Sequence, residues 1–184
     1  MEKDKMINGD IYDPNDKELS NDRLKSKTLC IKYNQLLPNQ TKEKEKILNK
    51  LMGPHEGFRI IEPDFFCDYG YNITTGKDFY INHNCVILDC AKVTFGKNVC
   101  IGPNCGFYTP EHPLKAEERI KDLEWAKPIT IGDNVWLGGN VTVLAGVNIG
   151  DNAVIGAGSV VVKDIPSNVV AVGNPCRPIK NIDQ

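Results

Sequence analysis

The sequence predicts a mainly β protein built as a parallel β-helix of hexapeptide repeats. An aliphatic residue returns at every sixth position, in the order Ile131, Leu137, Val143, Ile149, Ile155 and Val161. A small or branched residue stands four places after each of them, from Val135 to Ile165. Neither the 3.6-residue period of a helix nor the two-residue alternation of a strand produces a period of six. Stacked hexapeptide coils do, and they bury a continuous column of aliphatic side chains.

The same register extends towards the N-terminus with less regularity. Units begin at Tyr69, Thr75, Ile81 and Ile87, and after two additional residues the register resumes at Phe95 and Ile101. Pairs such as Asp133-Asn134 and Asp151-Asn152 suit the corners, because Asn and Asp tolerate left-handed backbone angles. With three units to a coil, the recognisable units predict a little over four coils.

Residues 1–57 have a different pattern, and we expect a helical N-terminal segment there. A first helix is predicted to be capped by Ser20 or Asn21 and to end before Pro38. A second helix is predicted from Thr41 to the breaker pair Gly53-Pro54. Residues 58–184 then form the β-helix domain, including a C-terminal tail at 167–184.

The repeat is interrupted by a loop insertion at residues 108–130. Connections of this length within a compact domain are uncommon and are often functional. The insertion contains His112, which lies between Pro110 and Pro113, and an imidazole is well suited to general-base chemistry near neutral pH. His83 lies in a predicted corner and is interpreted as a wall residue of the prism.

Composition argues against several classes of protein. The 22 basic and 24 acidic residues give no basic excess for nucleic acid. No apolar run approaches the roughly 20 residues of a membrane span, and the charged N-terminus does not resemble a signal peptide. Seven scattered cysteines without CxxC spacing indicate reduced thiols, and hence a cytoplasmic location. No histidine set suggests a metal centre.

Four stretches carry a resemblance to a known family. DPNDKELSNDRLKSK, CDYGYNITTGKDFYINHNCVILD, the EHP of the insertion and KDIPSNVVAVGNPCRPIK resemble the maltose and galactoside O-acetyltransferases. The resemblance covers nearly the whole chain. It implies a left-handed β-helix, a homotrimer with acetyl-CoA sites between neighbouring prisms, and a small hydroxylated acceptor. It also implies that His112 is the general base for direct attack on the thioester, with no metal.

The resemblance assigns acceptor-binding positions to Asn82, Asp68, Arg23 and Asp16. Alternatives remain for two of them, because Asp16 can act as a helix cap and Arg23 as a member of a surface ion pair. At Cys90 the galactoside enzymes have an aspartate, and this departure favours the maltose-type branch or another acceptor.

The donor-binding positions that the resemblance implies lie mostly in the regular repeat and the tail. The backbone N–H of Gly139 is expected to approach the thioester carbonyl, as an oxyanion-type contact. Trp136 is expected to wall the site or to pack against a neighbouring subunit. Glu124 either orients His112 or is a surface charge. The coenzyme groove is assigned to Ala157, Val162, Lys163, Arg177 and Lys180.

Two other functions are kept as alternatives, and a third is excluded. The acceptor can be a hydroxyl-bearing antibiotic or an oligosaccharide rather than a simple sugar. A non-catalytic hexapeptide scaffold leaves the His112 insertion and the cationic tail unexplained. A carbonic anhydrase on the same scaffold requires three histidine ligands, and only His83 and His112 fall within the predicted prism.

Overall fold

The computed structural model describes residues 1–182, which form a three-sided prism of stacked coils with helices at its N-terminal side. The helices are α1 (Glu2–Asn8), α2 (Lys17–Asn34), α3 (Thr41–Met52) and α4 (Ala116–Arg119). The strands are β1 (Arg59–Ile61), β2 (Phe65–Cys67), β3 (Ile73–Thr75), β4 (Phe79–Ile81), β5 (Cys85–Leu88), β6 (Val93–Phe95), β7 (Cys100–Ile101), β8 (Gly106–Tyr108), β9 (Pro110–Glu111), β10 (Trp125–Ala126), β11 (Ile129–Ile131), β12 (Trp136–Leu137), β13 (Thr142–Val143), β14 (Asn148–Ile149), β15 (Val154–Ile155), β16 (Val160–Val161), β17 (Val169–Gly173) and β18 (Cys176–Asn181).

Each of four complete coils contributes one strand to each of three parallel sheets, and the coils at the C-terminal end contribute to fewer. The first face contains β1, β4, β7, β12, β15 and β17, and β18 adds to it in an antiparallel direction. The second face contains β2, β5, β8, β13 and β16, and the third contains β3, β6, β11 and β14. The first face contains six parallel strands, one for each coil, whereas the sequence predicted a little over four coils. The difference arises because β1 and β17 lie outside the span in which the repeat was counted.

The predicted inward residues fill the prism. Ile131, Leu137, Val143, Ile149, Ile155 and Val161 are all at most 2% exposed. Complete burial of such a side chain contributes roughly 1.5–3 kcal/mol, so the column of repeats is the main source of stability. At the N-terminal end, the Phe95 ring packs against Phe79 in a tilted arrangement and against Phe107 edge to face, with centroid separations of 5.0 and 5.1 Å.

The corners between the third and first faces are built by asparagine, as predicted. Asn134 and Asn152 have φ angles of 57° and 59°. Their side chains form a hydrogen-bonded ladder in which Asn98 donates to Asn134, Asn134 to Asn152 and Asn152 to Asn168, at 2.8–2.9 Å. The ladder lets four successive coils turn the same corner with their side-chain amides paired, while Asp78 occupies the first of these corners.

The helices only partly match the prediction. Helix α3 begins at Thr41 and ends before Gly53, as expected. Helix α2 begins at Lys17, so the predicted cap at Ser20 or Asn21 is wrong. The carboxylate of Asp16 accepts from the backbone N–H groups of Glu18 and Leu19 at 2.9 and 3.3 Å, and thereby starts the helix one turn earlier. Helix α1 was not predicted.

Helix α2 packs on the second face of the prism. The Asn34 side chain donates to and accepts from the backbone of Phe65 at 3.0 Å, and Ser26 donates to the carbonyl of Cys67 at 3.3 Å. No helix within residues 1–182 combines the length and apolar character that crossing a membrane requires.

Candidate active site

The insertion is an ordered hairpin rather than an irregular loop. Strands β9 and β10 pair antiparallel, with Glu111 opposite Trp125. The Trp125 indole donates to the Glu111 carboxylate at 2.8 Å, and Lys127 Nζ lies 2.7 Å from the same carboxylate. Because antiparallel pairing runs in opposite directions along the two strands, the next residues outward are His112 and Glu124. The hairpin therefore brings these two side chains together.

His112 is half exposed, and both of its ring nitrogens have neighbours in the hairpin. Nε2 lies 3.7 Å from Glu124 Oε2, and Nδ1 lies 3.5 Å from the carbonyl oxygen of Leu123. Glu124 is only 9% exposed, so its carboxylate is shielded by protein. A carboxylate beside the ring can orient it and interact with positive charge that develops there during proton transfer. The pair thus has the components of a general base open to a ligand.

Tyr12 completes the arrangement from the N-terminal segment, and the sequence analysis did not identify it. Its hydroxyl donates to Glu124 Oε1, and its backbone pairs with that of Glu124 in both directions, at 3.0 and 3.3 Å. Burial raises the pKa of Tyr12, and the hydrogen bond to Glu124 acts in the same direction. The phenol therefore remains a donor. No periodicity or spacing in the sequence connects residue 12 with residue 124.

Asp68 and Cys90 lie beside one another where strands β2 and β5 leave the second face. Cys90 Sγ is 3.9 Å from Asp68 Oδ2, and Lys27 Nζ is 3.9 Å from Asp68 Oδ1. Burial raises the pKa of Asp68, while Lys27 and Arg23 oppose the change. Burial also raises the pKa of the Cys90 thiol, so this sulfur stays protonated at neutral pH.

Arg23 reaches the same region from helix α2. Its guanidinium donates to the Tyr69 hydroxyl at 2.7 Å, to the Pro14 carbonyl at 2.5 Å and to Ser20 Oγ at 3.4 Å. These acceptors are neutral oxygens, so the contacts differ from the surface ion pair considered as an alternative. The alternative for Asp16 is confirmed in so far as that residue caps α2.

Asp89 holds the corner that carries Asp68. This fully buried carboxylate accepts from the backbone N–H groups of Asp68, Tyr69 and Gly70 at 3.0, 2.8 and 2.7 Å. Burial raises the pKa of Asp89 to about 7, against the opposing effect of the hydrogen bonds from Tyr69 and Gly70. The sequence analysis did not assign it a role.

We define the histidine edge as the segments that follow the second-face strands, at residues 68–72, 89–92, 109–128, 144–147 and 162–164. Arg23 packs against this edge, and Asp68, His112, Val162 and Lys163 lie on it. Val162 and Lys163 follow β16 and are exposed, in the coil that contains β15.

We define the glycine edge as the corners that follow the first-face strands β1, β4, β7, β12 and β15, at residues 62–64, 82–84, 102–104, 138–140 and 156–158. Asn82, Gly139 and Ala157 lie on it, and Trp136 precedes it in β12 with 56% of its surface exposed. Asn82 Oδ1 accepts from the backbone N–H of His83 at 2.7 Å, and the His83 ring contacts the Pro63 carbonyl oxygen.

The predicted site residues are therefore not brought together by one edge of one chain. The candidate base and the residues around Asp68 lie on the histidine edge, whereas Asn82, Gly139 and Ala157 lie on the glycine edge. Arg177 and Lys180 are exposed on β18 at the C-terminal end. Within residues 1–182, no group of three or more His, Cys, Asp or Glu side chains is arranged to hold a metal ion.

A prism of hexapeptide coils with a histidine-bearing hairpin on one edge defines a hexapeptide-repeat acetyltransferase. Residues 5–57 match the family model of the maltose acetyltransferase hexapeptide capping motif, and residues 128–163 match that of the hexapeptide repeat of succinyl-transferase. The chain belongs to the maltose and galactoside O-acetyltransferase family, and it is an acetyltransferase.

Three similar proteins illustrate this membership. A Saccharomyces cerevisiae protein named for acetyltransferase activity is 51% identical over 97% of this chain and 92% of its own length. The maltose O-acetyltransferase structure from Clostridium difficile is 47% identical, with a TM-score of 0.97 over 100% of this chain and 98% of that one. A galactoside acetyltransferase solved in complex with coenzyme A is 39% identical, with a TM-score of 0.95 over 100% of this chain and 92% of that one.

Proposed function

We propose that the protein transfers the acetyl group of acetyl-CoA to a hydroxyl of a small sugar of the maltose, glucose or galactoside type. The observation that carries the proposal is the half-exposed His112 imidazole, with the Glu124 carboxylate 3.7 Å from Nε2. A relative of this chain has been solved with coenzyme A, which supports the identity of the donor.

In the proposed reaction, His112 accepts the proton of the acceptor hydroxyl as its oxygen attacks the thioester carbonyl. The carbon–sulfur bond then breaks, the acetyl ester is released, and the coenzyme A thiolate takes the proton from the imidazolium. The Glu124 charge favours the imidazolium between these two steps. General-base assistance of this kind contributes roughly 10²–10⁴-fold in rate.

Direct transfer is supported by the state of Cys90, the cysteine on the histidine edge. An acetyl-enzyme intermediate on cysteine requires a reactive thiolate. Burial raises the pKa of Cys90, the cysteine beside Asp68, and it therefore makes a poor nucleophile. A ternary complex in which the hydroxyl attacks the bound donor needs no such group.

We assign acceptor binding to Asp68, Arg23 and Asn82, with Asp16 as a nearby candidate. Carboxylate, guanidinium and amide groups together offer donors and acceptors for several hydroxyls. For the donor, the Gly139 N–H stabilises the developing oxyanion, and Trp136 walls the site. The coenzyme is assigned to Ala157, Val162, Lys163, Arg177 and Lys180, whose cationic members suit its phosphates.

The division of these residues between two edges supports a homotrimer. A cyclic assembly places one surface of each prism against a different surface of the next. We propose that the histidine edge of one protomer meets the glycine edge of its neighbour, and that this junction contains the complete site.

The proposal is tested by measuring coenzyme A thiol release from acetyl-CoA with a panel of acceptors. The panel contains maltose, glucose, a thiogalactoside, chloramphenicol and serine. We expect turnover with at least one sugar, and a loss of at least 100-fold in His112→Ala. His55→Ala, a control at a histidine between α3 and β1 that lies on neither edge, keeps most of the wild-type rate. Activity on serine or chloramphenicol alone, or normal turnover in His112→Ala, would overturn the proposal.

A further inference from the structure

The segment between α1 and α2 pairs with the insertion hairpin through an antiparallel β-bridge between Tyr12 and Glu124. Tyr12 N–H donates to the Glu124 carbonyl at 3.0 Å, and Glu124 N–H donates to the Tyr12 carbonyl at 3.3 Å. The hairpin thus pairs with a segment far away in the sequence, on the side next to the candidate base. This double hydrogen bond fixes the backbone position of Glu124.

The Tyr12 side chain fixes the carboxylate as well. Its ring is 1% exposed and packs in a small hydrophobic cluster that is separate from the prism core. The other members of this cluster include Met6, Leu19, Tyr69, Ala91 and Ala126. Its hydroxyl donates to Glu124 Oε1. A ring packed on all sides holds its hydroxyl at one place, so the bond restricts rotation of the carboxylate.

The two oxygens of Glu124 therefore have separate partners. Oε1 accepts from Tyr12, and Oε2 lies 3.7 Å from His112 Nε2. Hydrogen bonds to charged groups are stronger than those between neutral groups, so the tyrosine bond is well suited to hold the carboxylate in one orientation. Without it, a side chain with three rotatable bonds loses the restraint that aims Oε2 at the imidazole.

We propose that Tyr12 is a positioning residue for acetyl transfer, acting through Glu124 to place its charge against His112. The inference rests on the proposed role of His112 as the general base. Tyr12 itself is buried and does not touch the reactants. The N-terminal capping segment thereby contributes to the reaction rate as well as to the fold.

The test compares Tyr12→Phe, Glu124→Gln and the double variant. Tyr12→Phe retains the ring and removes only the hydroxyl. We expect kcat to fall about tenfold in each single variant, while the KM values for acetyl-CoA and for the acceptor stay within about twofold. The double variant is expected to be no slower than Glu124→Gln, because Tyr12 acts only through that carboxylate.

Tyr33→Phe is the matched control. Tyr33 is also buried, at 2% exposure, and its hydroxyl donates to the Ile61 carbonyl in the prism rather than to the hairpin. It is expected to lower the thermal midpoint without changing kcat. Tyr12→Leu, which also lacks the hydroxyl, provides a second variant, and the same split between kcat and KM is expected in it.

An unchanged kcat in folded Tyr12→Phe, or fully additive losses in the double variant, would overturn the inference. His112→Ala separates this failure from failure of the proposed function. If His112→Ala is inactive and Tyr12→Phe is normal, only the inference about Tyr12 is wrong. If His112→Ala is active, the general-base proposal is wrong as well.

Discussion

The glycine edge and the histidine edge arise from the same six-residue unit, but they are built in different ways. On the glycine edge the backbones of successive coils are in direct contact, and a Cβ added to Gly102 would lie 2.6 Å from the Gly139 nitrogen. On the histidine edge the corners enclose buried carboxylates and admit a long insertion. One edge therefore offers a fixed row of backbone groups, while the other offers titratable side chains.

In the proposed function, this difference suits the two edges to complementary tasks. Rigid backbone N–H groups are suited to binding a carbonyl oxygen or a coenzyme, because they need no rearrangement. Proton transfer requires a side chain that accepts and releases a proton, and the histidine edge contains one in His112. A single repeat protein can provide both coenzyme binding and proton transfer when the glycine edge of one protomer contacts the histidine edge of another.

The largest expected effect tests whether the two edges meet between protomers. His112→Ala and Asn82→Ala are each expected to have little activity, whereas a mixed assembly regains sites with both residues intact. A mixed trimer of either composition contains one complete site out of three, so the isolated mixed oligomers should regain about a third of the wild-type activity. The measurement is thiol release after co-expression with two different tags and isolation of mixed oligomers.

The matching control is a mixture of two differently tagged His112→Ala chains, which contains no complete site. If the mixed oligomers of His112→Ala and Asn82→Ala are as inactive as this control, the two edges do not share a site across protomers.

The second prediction concerns the buried charge of the histidine edge. Burial raises the pKa of Asp89 from its ordinary value of 3.8 to about 7, so the folded protein retains this proton at pH values where the unfolded chain has lost it. The stability contributed by the protonated group is present below about pH 4 and is lost as the pH rises towards about 7, by about 4 kcal/mol in total.

The check is the free energy of unfolding measured by denaturant between about pH 4 and 7. Asp89→Asn removes the titrating group, so the difference between wild type and this variant should change across the interval. A difference that is independent of pH would show that Asp89 does not titrate in this range.

The contrast between the edges also explains what could be predicted from the sequence. The inward positions from Ile131 to Val161 were confirmed because a period of six is a local pattern that stacking merely repeats. The place of the insertion was visible for the same reason, as an interruption of that pattern. The prism and the location of His112 on its surface therefore follow from short-range regularity.

The contacts of the histidine edge depend instead on residues that are far apart in sequence. Strands β9 and β10 contain two residues each, too few to show an alternating pattern, so the sequence could offer the approach of Glu124 to His112 only as one of two alternatives. The contacts of Tyr12 with Glu124 join segments about 110 residues apart, and no sequence period connects them. The start of α2 was predicted one turn late because Asp16, Ser20 and Asn21 are all good capping residues, and only the contacts of Asp16 with the backbone N–H groups of Glu18 and Leu19 distinguish them.

The third prediction addresses the close packing of the glycine edge. Gly102→Ala places a methyl group within 2.6–3.0 Å of the backbone of Gly138 and Gly139. Backbone cannot move aside as a side-chain tip can, so we expect a loss of about 1–3 kcal/mol in the free energy of unfolding.

Gly139→Ala is the matched control on the same edge. The added Cβ would meet only Pro103, at 3.4 Å, which is ordinary van der Waals contact. This variant should unfold close to the wild type in a denaturant titration. Equal destabilisation by the two substitutions would argue against backbone contact as the cause.

The smallest expected effect concerns Asp16, at the border of the histidine edge. Its carboxylate caps α2 through Glu18 and Leu19, so Asp16→Ala is expected to cost about 1 kcal/mol in the free energy of unfolding. Asp16→Ser retains a capping oxygen and removes the charge, and it should recover most of that loss. If Asp16 also binds the acceptor, the serine variant will fold normally and show a raised KM for the acceptor alone. An unchanged KM in Asp16→Ser would limit this residue to the helix cap, and it would leave Arg23 as the residue of α2 that contributes to acceptor binding.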